Sequence, residues 1–214
     1  MKSFVFPGNI EPEILEIGAR QIPYMRTEAF SAIVKECEQI MLELMGCPGG
    51  RVIFYTASGT AAMDATVACY VSTRKKALAI AGGSFGHRWH SLCKYYHVPC
   101  DVFEVPFAKD IDYEALEKMM QTSQPDVLLC QHHETSSGEL FNIDEISRLC
   151  KKYNITLVVD AISSFLADSY NMSRSGVDMT IISSQKGLNI PPGLSFIILS
   201  SKISEQEFKH LNFY

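Results

Sequence analysis

The stretch Ser184-Gln185-Lys186-Gly187-Leu188-Asn189-Ile190-Pro191-Pro192-Gly193 follows directly after an apolar run over residues 179–182. This pattern predicts a buried strand that ends in a loop of small and turn-forming residues, with Lys186 close to the strand end. Burying a lysine is costly unless the amine is neutralised, paired or used covalently. One chemistry that uses such a lysine is Schiff-base formation with a cofactor aldehyde. Lys186 is therefore a candidate catalytic residue.

A carboxylate takes the same place after another apolar run. Asp160 follows residues 155–159, which predict a second buried strand. An acid and a lysine at the ends of successive strands suit pyridoxal 5′-phosphate, because one can hold the ring nitrogen and the other the aldehyde carbon. Asp160 by itself could be only a cap of a turn or helix, but its pairing with Lys186 favours the cofactor role.

Apolar strands and helices alternate through most of the chain. The predicted strands cover residues 52–55, 77–80, 102–105, 127–130, 155–160, 179–183 and 196–199. The predicted helices run from an N-cap at Thr27 to a stop at Gly46, and over residues 61–71, 86–96, 113–120 and 143–153. Segment 196–199 follows Lys186 too closely for a helical crossover, so we expect it to pair antiparallel. The pattern predicts an α/β fold: a mostly parallel sheet with helices on both faces and one antiparallel strand.

The composition is that of a globular protein with enough apolar material for a core. The chain has 214 residues, of which 47% are hydrophobic, and we expect residues 1–214 to form one large domain with an N-terminal segment. The formal net charge is −5, and no basic cluster exceeds residues 74–76. A nucleic-acid partner is therefore not expected.

Cysteine usage and hydropathy indicate the compartment. Seven cysteines are scattered without CxxC pairs, and no Cys/His spacing resembles a zinc set, so we expect reduced thiols and no metal. The N-terminal residues show no secretory signal, and no apolar run is long enough to span a membrane. We therefore expect a cytoplasmic protein without a membrane partner.

In open parallel sheets, ligands bind beyond the carboxyl ends of the strands. Small, polar segments follow the predicted strands at residues 56–60, 82–86, 132–138, 160–164 and 183–186. The ligand-binding residues are expected among them.

The segment Ser58-Gly59-Thr60 opens a helix directly after a strand. Free backbone N–H groups and two hydroxyls at that place would suit a phosphate, although a simple helix cap is the alternative. No Walker A loop or GxGxxG fingerprint occurs in the chain, which argues against ATP and NAD.

Two other loops offer groups for a flat cofactor ring. Phe85 stands among glycines and could stack on a heteroaromatic ring, or be a core phenylalanine beside turn glycines. Ile162 could press on the opposite face of the ring. Thr135 could donate its hydroxyl to a phenolate oxygen, or belong to a polar turn.

Taken together, in this order and at these intervals, these segments resemble the class V aminotransferases, a group of fold-type I pyridoxal-phosphate enzymes. The resemblance runs from Pro7-Gly8 to about Lys202 and is strongest at residues 158–165 and 184–193. It implies a transaminase that moves an amino group from a small-molecule amino donor to a keto acceptor. The loop 134–138 looks most like the aminoethylphosphonate branch, and residues 185–193 look more like the alanine–glyoxylate branch, so the substrate stays open.

The resemblance also implies roles for individual residues. Lys186 would form the Schiff base and later move a proton as general acid and base. Asp160 would pair with the ring nitrogen. The phosphate ligands would be Ser58, Gly59, Thr60 and Gln185, while Phe85 would stack on the ring and Thr135 would reach the ring hydroxyl.

Members of this family continue into a smaller C-terminal domain, whereas this sequence ends at Tyr214. In the family that domain supplies the arginine for the substrate carboxylate, and no arginine follows Arg174 here. We expect either a fragment of a longer enzyme or a natural short form that binds the cofactor weakly. Family active sites lie at a dimer interface, so the resemblance implies a homodimer.

Two alternatives remain open from the sequence. A lyase of the cysteine desulfurase type would use the same scaffold, but such enzymes typically stack a histidine where Phe85 stands. A truncated, non-catalytic relative is the second alternative, which the intact pair of Lys186 and Asp160 disfavours.

Overall fold

The computed structural model describes residues 9–203; the predicted start of the family resemblance, Pro7-Gly8, lies outside this range. The strands are β1 (Arg51–Tyr55), β2 (Ala77–Ala81), β3 (Cys100–Glu104), β4 (Val127–Gln131), β5 (His133–Glu134), β6 (Glu139–Leu140), β7 (Thr156–Asp160), β8 (Met179–Ser183) and β9 (Ser195–Leu199). The α-helices are α1 (Pro12–Gly18), α2 (Glu28–Leu44), α3 (Gly59–Cys69), α4 (Ser84–Tyr95), α5 (Tyr113–Ser123), α6 (Ile143–Tyr153) and α7 (Met172–Ser175).

The main sheet has seven strands in the order β1-β9-β8-β7-β4-β2-β3. Strand β9 lies antiparallel to both β1 and β8, and the other pairs are parallel. The predicted fold class is confirmed, including the single antiparallel strand over residues 195–199.

Helices cover both faces of this sheet, because successive strand residues point to opposite sides. On one face α3 and α4 pack on alternate residues of the strands, with Met63 and Trp89 fully buried. On the other face the core holds residues of α2, α5 and α6, such as Leu116 and Ile146, together with the intervening strand residues. The central strands β2, β4, β7, β8 and β9 are almost completely buried as a result.

The predicted elements are present, and their ends shift by a few residues. Thr27 caps α2 as predicted, since its hydroxyl accepts a hydrogen bond from the Phe30 N–H at 3.3 Å. Strand β3 begins at Cys100 rather than at residue 102, because its register follows β2 from Ala77 onwards. The hairpin of β5 and β6 was not predicted, since its two-residue strands carry no periodic signal.

Two further expectations concern the whole chain. All seven cysteines are free thiols in this structure. In the described part of the chain, no helix combines the length and the apolar character needed to cross a bilayer.

Candidate active site

A cavity of about 160 Å³ lies at the carboxyl edge of the main sheet, where the loops after β1, β2, β4, β7 and β8 meet. We call it the strand-end cavity. All of the predicted site residues line it: Ser58, Gly59, Thr60, Phe85, Thr135, Asp160, Ile162, Gln185 and Lys186. It is also lined by residues that the sequence did not single out for the site: Arg88, His133, Ser163 and Ser183.

The loop that presents Lys186 is held by a buried serine. The Ser184 hydroxyl donates to the Pro191 carbonyl oxygen at 2.8 Å and accepts from the Leu194 N–H at 3.2 Å. These bonds tie the two ends of the loop together directly after β8. Lys186 is half-buried rather than fully buried, and it lines the cavity.

Two glycines of the site stand where neighbouring residues leave no room for a side chain, a backbone carbonyl at Gly187 and a side-chain end at Gly59. A side chain on Gly187 would collide with the carbonyl oxygen of Phe165, and one on Gly59 would collide with Cδ1 of Ile162. Glycine at these positions therefore lets the Lys186 loop and the start of α3 close around the cavity.

Asp160 is the last residue of β7 and is 5% exposed. Burial raises the pKa of this carboxyl to about 7, and the nearby charge of Glu134 adds to the rise. The Ile162 N–H, which donates to Oδ1 at 2.9 Å, opposes it, as do the charges of Arg88 and Lys186. A cation placed against Asp160 would favour the ionised carboxylate, so the site can hold a protonated ring nitrogen.

The start of α3 presents unpaired donors to the cavity. Ser58 occupies the N-cap position, but its side chain makes no capping bond. The simple capping alternative for Ser58 is therefore not what the structure shows. Its hydroxyl and the first N–H groups of the helix remain available to an anion. Thr60 is engaged on one side, where Arg88 Nη1 donates to Oγ1 at 2.8 Å.

A buried glutamate, Glu134, positions Phe85, and no local pattern in the sequence indicates this role. Gly83, before the first residue of α4, supplies no capping side chain. Instead Glu134 accepts from the Gly86 N–H at 3.0 Å, and the Ser136 hydroxyl accepts from the Ser84 N–H at 2.9 Å. The turn 134–138 thus caps α4 from a distant part of the chain and fixes Phe85 beside the cavity.

Two side-chain pairs complete the rim. Thr135 Oγ1 lies 2.5 Å from Ser163 Oγ, so the predicted hydroxyl donor is held by a neighbouring hydroxyl. His133 Nδ1 lies 3.0 Å from Asp168 Oδ2. Both pairs join the loop after β4 to the loop after β7, which closes this side of the cavity.

A larger open groove of about 650 Å³ lies between α2 and the loop 46–51. It contains none of the predicted site residues, and no loop at the carboxyl ends of the parallel strands reaches it. Size alone does not identify the site, because convergent polar groups are what orient a ligand. Within residues 9–203, no three metal-ligating side chains come together in a way that could hold an ion.

Comparison with known proteins agrees with this geometry. The family model for aminotransferase class-V matches residues 19–213. An uncharacterized aminotransferase of Methanocaldococcus jannaschii is 29% identical over 93% of this chain and 52% of its own length. Alanine–glyoxylate aminotransferase of Felis catus is 28% identical over 97% of this chain and 51% of its own length.

A solved structure, alanine–glyoxylate aminotransferase from Nostoc sp., superimposes with a TM-score of 0.89 at 26% identity. The match covers 97% of this chain and 55% of that one. The chain thus spans about half the length of the curated relatives it matches. With the matched residues extending over nearly all of the sequence, this chain belongs to the class V aminotransferase family.

Proposed function

We propose that this chain is the cofactor-binding large domain of a transaminase, spanning residues 1–214. The enzyme would transfer an amino group from a small amino acid or aminophosphonate to a 2-oxo acid or aldehyde such as pyruvate or glyoxylate. The observation that supports this most is the meeting of Lys186 and Asp160 in one cavity. Pyridoxal 5′-phosphate is the cofactor of the family.

The residues of the strand-end cavity fit that cofactor. Burial raises the pKa of Asp160 to about 7 and one backbone N–H donates to it, so a protonated ring nitrogen would be a favourable partner for the ionised carboxylate. The Ser183 hydroxyl is buried and finds no partner among residues 9–203, which indicates a missing ligand group on the same side as Ser58 and Gly59. An aromatic face at Phe85 and an aliphatic one at Ile162 line the same space.

When bound, the cofactor supplies an aldehyde that exchanges amino groups and a ring that accepts electrons. The chain's own residues would do the rest. Lys186 Nζ would bind the aldehyde and later hold and return the proton taken from the substrate carbon. Asp160 would keep the ring nitrogen protonated, while Phe85 and Ile162 would orient the ring and exclude water.

The phosphate would sit at the start of α3. Ser58, Gly59, Thr60 and Gln185 would donate to it, and the helix dipole would favour its negative charge. Thr135 would reach the ring hydroxyl from the hairpin of β5 and β6, with Ser163 holding the threonine in place.

A homodimer is part of the proposal. Large apolar side chains are exposed along α1, α2 and the segment between them: Leu15, Ile17, Ile22, Tyr24, Met25, Ile33, Ile40 and Leu44. A second copy of the chain would cover them, since exposed apolar patches of this kind often mark interfaces. Light scattering should give the mass of a dimer, and an exclusively monomeric mass would contradict this.

The function is tested by adding pyridoxal 5′-phosphate to the purified chain. We expect a visible absorption band that borohydride removes, with the cofactor mass then found on the peptide containing Lys186. Lys186→Ala should lose both signals. Lys94→Ala, at an exposed position in the last turn of α4, is the matched control and should keep them.

A band of equal strength in the Lys186→Ala protein would contradict the assignment, as would no band in the wild-type chain. If the band appears, alanine, serine and 2-aminoethylphosphonate are the donors to screen. Pyruvate and glyoxylate are the acceptors. Conversion of a donor to its oxo product supports a transaminase, whereas release of sulfide from cysteine would support the lyase alternative.

A further inference from the structure

Arg88 enters the strand-end cavity from α4, one helical turn after Phe85. Its Nη1 donates to Thr60 Oγ1 at 2.8 Å, and its guanidinium carbon lies 4.7 Å from the centre of the Phe85 ring. The guanidinium therefore lies between the start of α3 and the aromatic side of the cavity. A guanidinium has five N–H donors, and the bond to Thr60 uses one of them.

A second side chain at the same place lacks a partner. Ser183, the last residue of β8, is 2% exposed, and its Oγ makes no hydrogen bond within residues 9–203. Its Cβ would lie 3.4 Å from a Cβ built on Gly59, so it stands at the foot of α3. An unpaired buried hydroxyl is costly, which points to a ligand group that accepts or donates there.

The charges around the cavity single out Arg88. The ionisable residues that line it are Arg88, Lys186, Asp160 and His133, and His133 is paired with Asp168. In the proposed function Lys186 is committed to the aldehyde and Asp160 to the ring nitrogen. The other phosphate ligands, at residues 58–60 and 185, are all neutral.

We propose that Arg88 is the charged ligand of the cofactor phosphate and that Ser183 donates a further hydrogen bond to it. This inference rests on the proposed function. A phosphate carries close to two negative charges at neutral pH, and guanidinium binds it through charge-assisted, often bidentate bonds. Arg88 would also hold Thr60 in position, so one side chain orders the phosphate end of the site.

The test compares pyridoxal 5′-phosphate with pyridoxal, which lacks the phosphate. Each aldehyde is titrated against the whole chain, trapped with borohydride and counted as labelled Lys186 by mass spectrometry. Arg88→Gln should raise the half-saturating concentration of the phosphorylated aldehyde by about 10- to 100-fold and change that of pyridoxal far less, since only the charge of Arg88 near Asp160 would act on the ring. Arg88→Lys should recover part of the lost affinity, because lysine keeps the positive charge but lacks the paired N–H donors of the planar guanidinium.

Ser183→Ala should show the same selectivity with a smaller change, on the order of threefold. Arg148→Gln is the matched control, because Arg148 is exposed on α6 and pairs with Glu145 away from the cavity. It should change neither titration.

Equal weakening of both aldehydes by Arg88→Gln would overturn the inference, since Arg88 would then act on the ring or on the fold. No change with either aldehyde would overturn it too. In both cases trapping at Lys186 in the wild type would leave the proposed function intact. Absence of trapping in the wild-type chain with either aldehyde would instead reject the proposed function, and the role of Arg88 with it.

Discussion

The amino and carboxyl edges of the parallel sheet differ in how completely the polar side chains next to the strands are hydrogen-bonded. At the amino edge, Asp126 directly precedes β4 and accepts from the N–H groups of Lys75 and Lys76 at 2.7 and 3.1 Å. Asp178 directly precedes β8, accepts from the Leu157 N–H at 2.9 Å and lies 3.6 Å from the amine of Lys202. These carboxylates fasten the starts of the strands.

At the carboxyl edge, the last residues of β7 and β8 have side chains that could accept or donate further hydrogen bonds. Asp160 ends β7 and has one backbone donor, and Ser183 ends β8 and has no partner within the described residues. Both are buried and line the strand-end cavity, where a ligand can reach them. At this edge buried polar groups with remaining hydrogen-bonding capacity converge on one cavity, whereas the two carboxylates of the amino edge are engaged by backbone N–H groups.

The largest effect on the free energy of unfolding should come from Asp160, whose carboxyl group accepts a single backbone hydrogen bond. Burial raises the pKa of Asp160 to about 7, from 3.8 for an exposed aspartate. The folded cofactor-free chain therefore binds this proton more tightly than the unfolded chain does. The stabilisation is complete below about pH 3.8 and is lost as the pH rises through 7.

Asp160→Asn should remove that pH dependence. The difference in unfolding free energy between wild type and variant should change by roughly 4 kcal/mol from pH 4 to 8, because each pKa unit corresponds to about 1.4 kcal/mol. Urea unfolding of the cofactor-free proteins at several pH values measures it. Parallel stability curves for the two proteins would show that Asp160 is an ordinary, satisfied carboxylate.

At the amino edge the expected effect comes from the loss of a single hydrogen bond. Asp178→Ala leaves the buried Leu157 N–H without its acceptor, so the free energy of unfolding should fall by about 1–3 kcal/mol. Asp178→Asn retains an acceptor oxygen and should recover most of the loss. Urea unfolding at neutral pH distinguishes them, and an alanine variant as stable as the wild type would remove the contrast between the edges.

Two adjacent serines give the smallest and most closely matched comparison. The Ser184 hydroxyl makes two hydrogen bonds that hold the Lys186 loop, whereas the Ser183 hydroxyl makes none within residues 9–203. Ser184→Ala should therefore lower the unfolding free energy of the cofactor-free chain by about 1–2 kcal/mol, whereas Ser183→Ala should leave it within about 0.5 kcal/mol of the wild type or raise it. Thermal or urea unfolding measures both. Equal losses would mean that Ser183 already has a partner.

Much of the candidate site could be predicted because its residues lie in short loops next to strongly apolar strands. Lys186 and Asp160 follow runs that could be recognised from periodicity alone, and the other predicted residues follow strands in the same way. Arg88 was missed although it lies three residues after Phe85, a spacing that places both on one helix face. Glu134 and Ser136 were taken only as a polar turn, because their role in capping α4 depends on a contact across the fold.

The order of helices and strands, the mostly parallel class of the sheet and the position of the polar loops could all be predicted from the amino-acid sequence, since they follow from local periodicity and turn residues. The insertion of β9 between β1 and β8 could be seen only in the folded chain. Together with the packing of Gly59 on Ile162, this brings the start of α3 beside Lys186. Strand pairing and helix packing depend on contacts between residues far apart in the chain, and local patterns do not encode them. The contact of Arg88 with Thr60 and the lack of a partner for the Ser183 hydroxyl within the described residues became visible only through such contacts.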